Sequence, residues 1–162
     1  MIVKEKYFEI VDEALSHNFL GKIAVDATVG KGNDTLKLLK AVGKDGFVYG
    51  FDVQEEALSK ARVLLAGYDN YELFLDSHAN IDRLESFDLV IYNLGFLPGS
   101  DKKITTLRES TLESLRKAAE KINEAGIIIV VSYLGHENSF EEREGVDEFL
   151  KSLDQKIFKV EK

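Results

Sequence analysis

The chain has 162 residues, enough for one domain with a proper core, and its 44% apolar and 31% charged residues match a soluble globular protein. It contains no cysteine, which excludes disulfides and thiolate metal sites and suits a reducing cytoplasm. The net charge of −8 excludes a uniformly basic surface, so a nucleic-acid partner requires a local basic patch or a second protein that brings it.

Residues 1–6 alternate in charge and show no apolar leader, and the longest apolar run, 127–131, is far too short to cross a bilayer. A cytoplasmic location is expected. Tyr7, Ile10, Val11, Ala14 and Leu15 follow helical spacing and predict an N-terminal helix over 4–17. An apolar run predicts a strand over 23–28 that ends in a glycine-rich turn. Leu36, Leu38, Leu39 and Val42 predict the helix that follows. The alternation continues with a strand over 47–53, a helix over 55–66 and a strand over 71–76. A strand over 87–94 leads to a long helix over 105–123, then the purest strand at 127–133, a helix over 140–153 and a last strand over 157–160. Continuous apolar strands alternating with helices predict an α/β fold, a Rossmann-like doubly wound, mostly parallel sheet in three α/β/α layers. With no repeat, low-complexity tract or linker, one domain over 1–162 is expected.

In such sheets ligands bind beyond the carboxyl ends of the strands, near the point where strand order reverses. The residues just after each predicted strand are polar or glycine: Asp26 to Gly32, Asp52 to Gln54, Asp76 to His78, Asn93 to Gly99 and Tyr133 to His136. Gly30 and Gly32 permit a tight turn and close approach of a ligand to backbone amides at a helix start. A dinucleotide loop would carry a third small residue where Thr35 stands, and Asp26 would repel a pyrophosphate yet could receive the amino group of a methionine moiety. A plain turn, with Asn33 or Asp34 capping the helix, is the alternative. Asp52, about 20 residues further on, has the place and type to accept both hydroxyls of a ribose; capping the helix near Glu55 is its alternative role.

Asp76, Ser77 and His78 close the third strand, where an adenine ring would lie, although His78 is equally placed to be a loop histidine bonded to backbone. The only histidines are His17, His78 and His136, and none has a carboxylate spacing that resembles a metal site, so no catalytic metal is expected. After the fourth strand, the only proline, Pro98, lies between Gly95 and Gly99 in a shaped loop, and the side-chain carbonyl of Asn93 beside it suits an amine that is to be methylated.

Asp26 to Thr35, Gly50 to Gln54, Asn93 to Lys102 and Tyr133 to His136 together resemble a bacterial family of class I S-adenosylmethionine-dependent methyltransferases formerly labelled rRNA methylases. The combination of D-A-T-x-G-x-G-x-D-T with N-L-G-x-L-P-G-x-D-K is specific, and the similarity runs to about Leu153. The resemblance implies S-adenosyl-L-methionine as cofactor and, as substrate, a modified base in RNA, above all the aminomethyl group of aminomethyl-thiouridine at the tRNA wobble position. Methylation of rRNA or of a small amine, and non-catalytic cofactor binding, remain alternatives; a nicotinamide-dependent dehydrogenase is opposed by Asp26 and the missing third glycine.

The expected cofactor-binding residues are Asp26, Thr28, Gly30, Gly32, Asp34, Thr35, Asp52, Gln54, Ser77, His78 and Asn93. The expected catalytic residues are Asn93, Asp101, Tyr133 and His136, the last three as candidate proton acceptors. The expected partner is RNA, probed by a local basic patch in which Lys102, Lys103 and Arg108 are candidates; no membrane is expected, and a homodimer is left open. Two departures from the family stand out. Asn138 and Ser139 occupy the place of its usual glycine pair. The chain stops at Lys162, short of the family's C-terminal antiparallel strand, so the strand over 157–160 is expected to pair in parallel beside 127–133.

Overall fold

The computed structural model describes residues 11, 12, 15, 21–94, 102–132 and 139–154, the side chains of 102–108, 132 and 139–143 excepted. Five strands, β1 (Ile23–Asp26), β2 (Phe47–Asp52), β3 (Tyr71–Leu75), β4 (Phe87–Leu94) and β5 (Ile122–Ser132), form one sheet in the order β3-β2-β1-β4-β5. All its pairings are parallel. The chain steps outward from β1 through β2 to β3, then crosses back to lay β4 on the other side of β1. The switch point therefore lies between β1 and β4, where ligands of open parallel sheets bind. Between the strands run α1 (Asn33–Val42), α2 (Glu55–Leu64), a 3-10 segment (His78–Arg83) and α3 (Lys102–Lys121), and α4 (Ser139–Ser152) follows β5.

Alternation along the strands divides the core in two. Val25, Phe51, Val90 and Tyr92 face a cluster completed by Ile81 of the 3-10 segment, Leu115 and Ala118 of α3 and Val146 of α4. Ala24, Val48, Leu89 and Ile91 face the opposite cluster, completed by Leu38, Leu39 and Val42 of α1 and by Leu65. Helix α1 forms because Thr35, Leu38, Leu39 and Val42 recur at helical spacing and are all buried on its inner stripe. Both faces of the sheet are thus covered, which is why the strands read as continuous apolar runs. No helix among the described residues is long and apolar enough to cross a membrane.

The expected elements are present with shifted ends. β1 stops at Asp26, short of Thr28, because the chain leaves the ladder there and divides its bonds: Ala27 N donates to Ile91 O and Val29 N to Phe51 O. Helix α3 begins at Lys102, earlier than expected. β5 begins at Ile122 instead of 127, because a register irregularity opposite Phe87 and Leu89 absorbs the polar residues before the apolar run, with Ala125 at φ 64°. Of the N-terminal helix, Val11, Asp12 and Leu15 are helical, Val11 is buried and Leu15 packs beside it in the same cluster; the other residues of that helix and the strand expected over 157–160, with its pairing, lie outside the described residues.

Candidate functional site

The carboxyl ends of β1, β2 and β4 are stitched together by the loop between β1 and α1. Gly30 N donates to Asp52 Oδ2 at 2.9 Å, and Asn93 N donates to Thr28 Oγ1 at 2.8 Å, so the loop is tied to β2 on one side and to β4 on the other. The loop can lie this low because Gly50 has no side chain: a Cβ there would sit 2.5 Å from Val29 Cγ2. Gly30 and Gly32 both have positive φ, 54° and 93°, and Gly32 is the residue from which α1 starts, without a side-chain cap from Asn33 or Asp34. A Cβ at Gly32 would also meet Ala61 Cβ at 3.0 Å. We expect Gly32→Ala to destabilise the fold by about 1–3 kcal/mol in urea unfolding, from backbone strain and crowding against α2; stability equal to wild type would show that the loop is not held in this form.

Asp52 accepts two backbone amides, Gly30 N on Oδ2 and Gln54 N at 2.8 Å on Oδ1. A carboxylate offers about four acceptor positions, so each oxygen keeps capacity for an outside donor. Gln54, not Asp52, is the cap residue of α2. Flanking Asp52 are two exposed apolar side chains that the sequence reading passed over, Val53 at 69% and Leu75 at 57% exposure. Leu75 pairs in register with Asp52, so the three form a strip on the strand tips with an acceptor between apolar surfaces. The signal was an apolar residue directly after a strand-end acid.

Asp26 is fully buried. Thr35 Oγ1 donates to its Oδ2 at 2.7 Å and Thr28 N to its Oδ1 at 3.0 Å. Burial pushes its carboxyl up to about 7; the Thr35 hydroxyl opposes this, the charge of Asp34 adds to it, the Thr28 amide opposes it and Asp52 adds the smallest part. Its side chain has no exposed surface, so a direct contact with a ligand amino group, expected from its sequence position, would require the loop over it to open. Asp26 braces the loop from beneath.

Asn93, at the end of β4, donates through Nδ2 to Oδ2 of Asp34 in the first turn of α1, at 3.0 Å. This bond joins residues 59 apart in sequence and was not foreseen. Ser77 accepts Ala79 N and starts the 3-10 segment. Asp76 is engaged by Ser77 N, Asn80 Nδ2 and Arg83 Nη1, and the Asn80 bond, followed by the Ser77 and Arg83 contacts, outweighs desolvation and holds its carboxyl below the usual range. His78 packs edge-on against Tyr92, with ring centroids 5.5 Å apart, while the Tyr92 hydroxyl bonds Ser114 Oγ at 2.7 Å. Its Nδ1 is buried with no hydrogen-bond partner among the described residues. Burial pushes His78 down to about 4 against the pull of Asp52, so the ring is neutral at physiological pH.

Of the expected site residues, the structure brings Asp26, Thr28, Gly30, Gly32, Asp34, Thr35, Asp52, Gln54, Ser77, His78 and Asn93 to one edge of the sheet. Asp101, Tyr133 and His136 lie outside the described residues, as do the side chains of Lys102, Lys103 and Arg108. Lys37 pairs with Asp12 on the surface. Among the described residues, no three His, Asp or Glu side chains are grouped to hold a metal ion.

Residues 48–162 match the family model described as "Putative rRNA methylase". The chloroplastic tRNA (mnm(5)s(2)U34)-methyltransferase of Arabidopsis thaliana is 37% identical over 144 residues, covering 80% of this chain and 53% of that protein. The chain thus spans about half the length of this curated relative. A solved Clostridium thermocellum structure, described as an rRNA-methylase, superposes with a TM-score of 0.81 at 40% identity, covering 93% of this chain and 83% of the other. A Streptococcus mutans structure described as "a putative methyltransferase" in complex with SAH superposes with a TM-score of 0.77 at 37% identity, covering 92% of this chain and 83% of the other.

Proposed function

This chain belongs to the rRNA methylase family, and on that premise we propose that it is an S-adenosylmethionine-dependent N-methyltransferase acting on a modified base in RNA, with the aminomethyl group of wobble uridine in tRNA as acceptor. The observation that carries this reading is the bond from the Gly30 amide to Asp52 at the carboxyl end of β2, which sets a carboxylate beside a glycine turn and an apolar strip. The donor set fits the cofactor. Asp52 would accept the two ribose hydroxyls with its remaining capacity, Val53 and Leu75 would offer apolar surface to the adenine, and the Gly30–Gly32 turn would leave room for the amino-acid tail, since a Cβ at Gly30 would meet nothing within 4 Å. The carboxylate of Asp52 suits a ligand with a cationic sulfonium. When bound, the cofactor supplies an activated methyl group, and in-line attack by the amine nitrogen forms the N–C bond as the S–C electron pair returns to sulfur.

The acceptor is the harder partner. An alkyl amine with a pKa of about 10.4 lies about three units from neutrality at physiological pH, which costs roughly 4 kcal/mol. A desolvated site disfavours the ammonium and lowers that cost. Asn93 Oδ1 accepts an N–H of the amine and aims its lone pair, and Asp101, Tyr133 and His136 are the candidates to take the proton. RNA reaches the site through a local basic patch near the start of α3.

We expect Asn93→Ala to leave affinity for S-adenosylhomocysteine unchanged in calorimetry and to lower turnover about ten- to hundred-fold through lost alignment of the amine. Full turnover in that variant would remove Asn93 from the reaction. The substrate is tested by mass analysis of tRNA nucleosides from cells with and without the protein. Loss should leave the unmethylated aminomethyl-thiouridine in place of its methylated form, and an unchanged wobble nucleoside would redirect the assignment to rRNA or a small amine.

A further inference from the structure

We infer that Asp34 is a positioning residue that fixes which end of the Asn93 amide meets the acceptor amine. The inference rests on the reading of Asn93 given above and adds a reason why that residue works. An asparagine amide carries a donor end and an acceptor end of nearly the same shape, and the two are exchanged by a half-turn of the side chain. Alkylating an amine requires the acceptor end, because the nitrogen must give an N–H to Oδ1 while its lone pair is left for the methyl group. The donor end would instead compete for that lone pair.

The structure supplies the device that makes the choice. Asp34 Oδ2 receives Asn93 Nδ2–H at 3.0 Å, and an ionised carboxylate can only accept, so it selects the donor end and leaves Oδ1 on the far side of the amide. A half-turn would bring Oδ1 against the carboxylate and replace an attraction by a repulsion. The backbone holds both partners in place. Asn93 N is tied to Thr28 Oγ1 at 2.8 Å, and Thr28 belongs to the same loop that leads into Asp34. Asp34 sits in the first turn of α1, where the exposed amides of the helix start favour a negative charge. The glycine loop thus serves both halves of the site: one end meets Asp52 through Gly30, and the other sets the polarity of Asn93 through Asp34.

The test compares Asp34→Ala, Asp34→Asn, Asn93→Ala and the Asp34→Ala/Asn93→Ala double variant. Three readouts are taken: calorimetry with S-adenosylhomocysteine, steady-state methyl transfer from labelled S-adenosylmethionine to tRNA carrying aminomethyl-thiouridine, and the 15N–1H signals of the Asn93 side-chain amide without substrate. Asp34→Ala is expected to bind S-adenosylhomocysteine like wild type, to lose about ten- to hundred-fold in kcat with little change in KM, and to shift the Asn93 side-chain signals. Asp34→Asn can still present an oxygen to Nδ2 and should recover most of the kcat and the wild-type signals. The double variant should be no slower than Asn93→Ala, because the two residues act through one amide. Weakened S-adenosylhomocysteine binding in Asp34→Ala would make Asp34 a cofactor ligand and overturn the inference, as would an Asp34→Asn variant as slow as Asp34→Ala or additive losses in the double variant. Slow Asn93→Ala with full-speed Asp34→Ala would sink the positioning role alone, whereas full-speed Asn93→Ala would sink the underlying reading of Asn93 as well.

Discussion

Asp52→Ala should abolish measurable binding of S-adenosylhomocysteine, a loss of more than about a hundred-fold in affinity. Two hydrogen bonds donated by ribose hydroxyls to a carboxylate contribute about 1.5–3 kcal/mol each, and both disappear in the variant. The loop loses its tie as well, because Gly30 N and Gln54 N are left without the oxygens they bond. The loss of fold stability should be smaller, about 1–2 kcal/mol, since both amides lie near the edge where water can reach them. Asp52→Asn keeps one acceptor oxygen and should bind with intermediate affinity. Calorimetry, paired with urea unfolding of the same variants, separates lost contacts from lost structure. Near-wild-type affinity in Asp52→Ala would mean that the ribose does not rest on this carboxylate.

The second large effect is one of pH. The folded-state pKa of Asp26, about 7, stands well above its ordinary 3.8, so the native protein holds a proton that the unfolded chain has already released. Its contribution to stability is full at low pH and is lost as pH rises from about 4 to about 7, about 4 kcal/mol across the whole titration. His78 has the opposite sign. Its folded pKa, about 4, lies below the ordinary 6.5, so stability is lost as pH falls through that window. In the wild type the two limbs offset one another between about pH 4 and 6.5, and the decline above that range belongs to Asp26. Asp26→Asn isolates the carboxyl: its amide oxygen accepts Thr28 N while its NH2 donates to the Thr35 hydroxyl, so both bonds are kept and the buried charge is removed. We expect the unfolding free energy of Asp26→Asn, relative to wild type, to rise by about 3 kcal/mol between about pH 5 and pH 8.5. A difference that stays constant with pH would show that Asp26 is ionised throughout. Above about pH 7, where the wild-type carboxyl is ionised, the same variant should bind S-adenosylhomocysteine more weakly, because a negative charge has left the neighbourhood of its ammonium group.

The alternation of apolar runs with helical stripes made the five-stranded parallel sheet legible, and the place of polar residues after each strand made the ligand edge legible. What sequence could not convey was which way individual side chains face once the chain leaves a strand. Asp26 and Asp52 occupy similar places at adjacent strand ends, yet Asp26 is enclosed by Thr28 and Thr35 while Asp52 stands at the edge. In register Asp26 stands beside Gly50, so Asp52 lies two residues further along β2, past the end of β1 and outside the enclosure that Thr28 and Thr35 make. The pairing of Asp34 with Asn93 depends on the crossover from β1 to β4, which brings distant segments together and leaves no local pattern. The early start of β5 was hidden by Asn123, Glu124 and Gly126, whose polarity and flexibility ordinarily mark a loop but here are absorbed by an irregular register.

The account depends on a nucleoside ligand spread over the tips of β1, β2 and β4, and a crystal structure of the protein with S-adenosylhomocysteine tests this most directly. It should show both ribose hydroxyls within hydrogen-bond distance of Asp52 and the amino-acid tail beside Gly30 and Gly32. Density for the ligand at any other place, or none at saturating concentration, would contradict it.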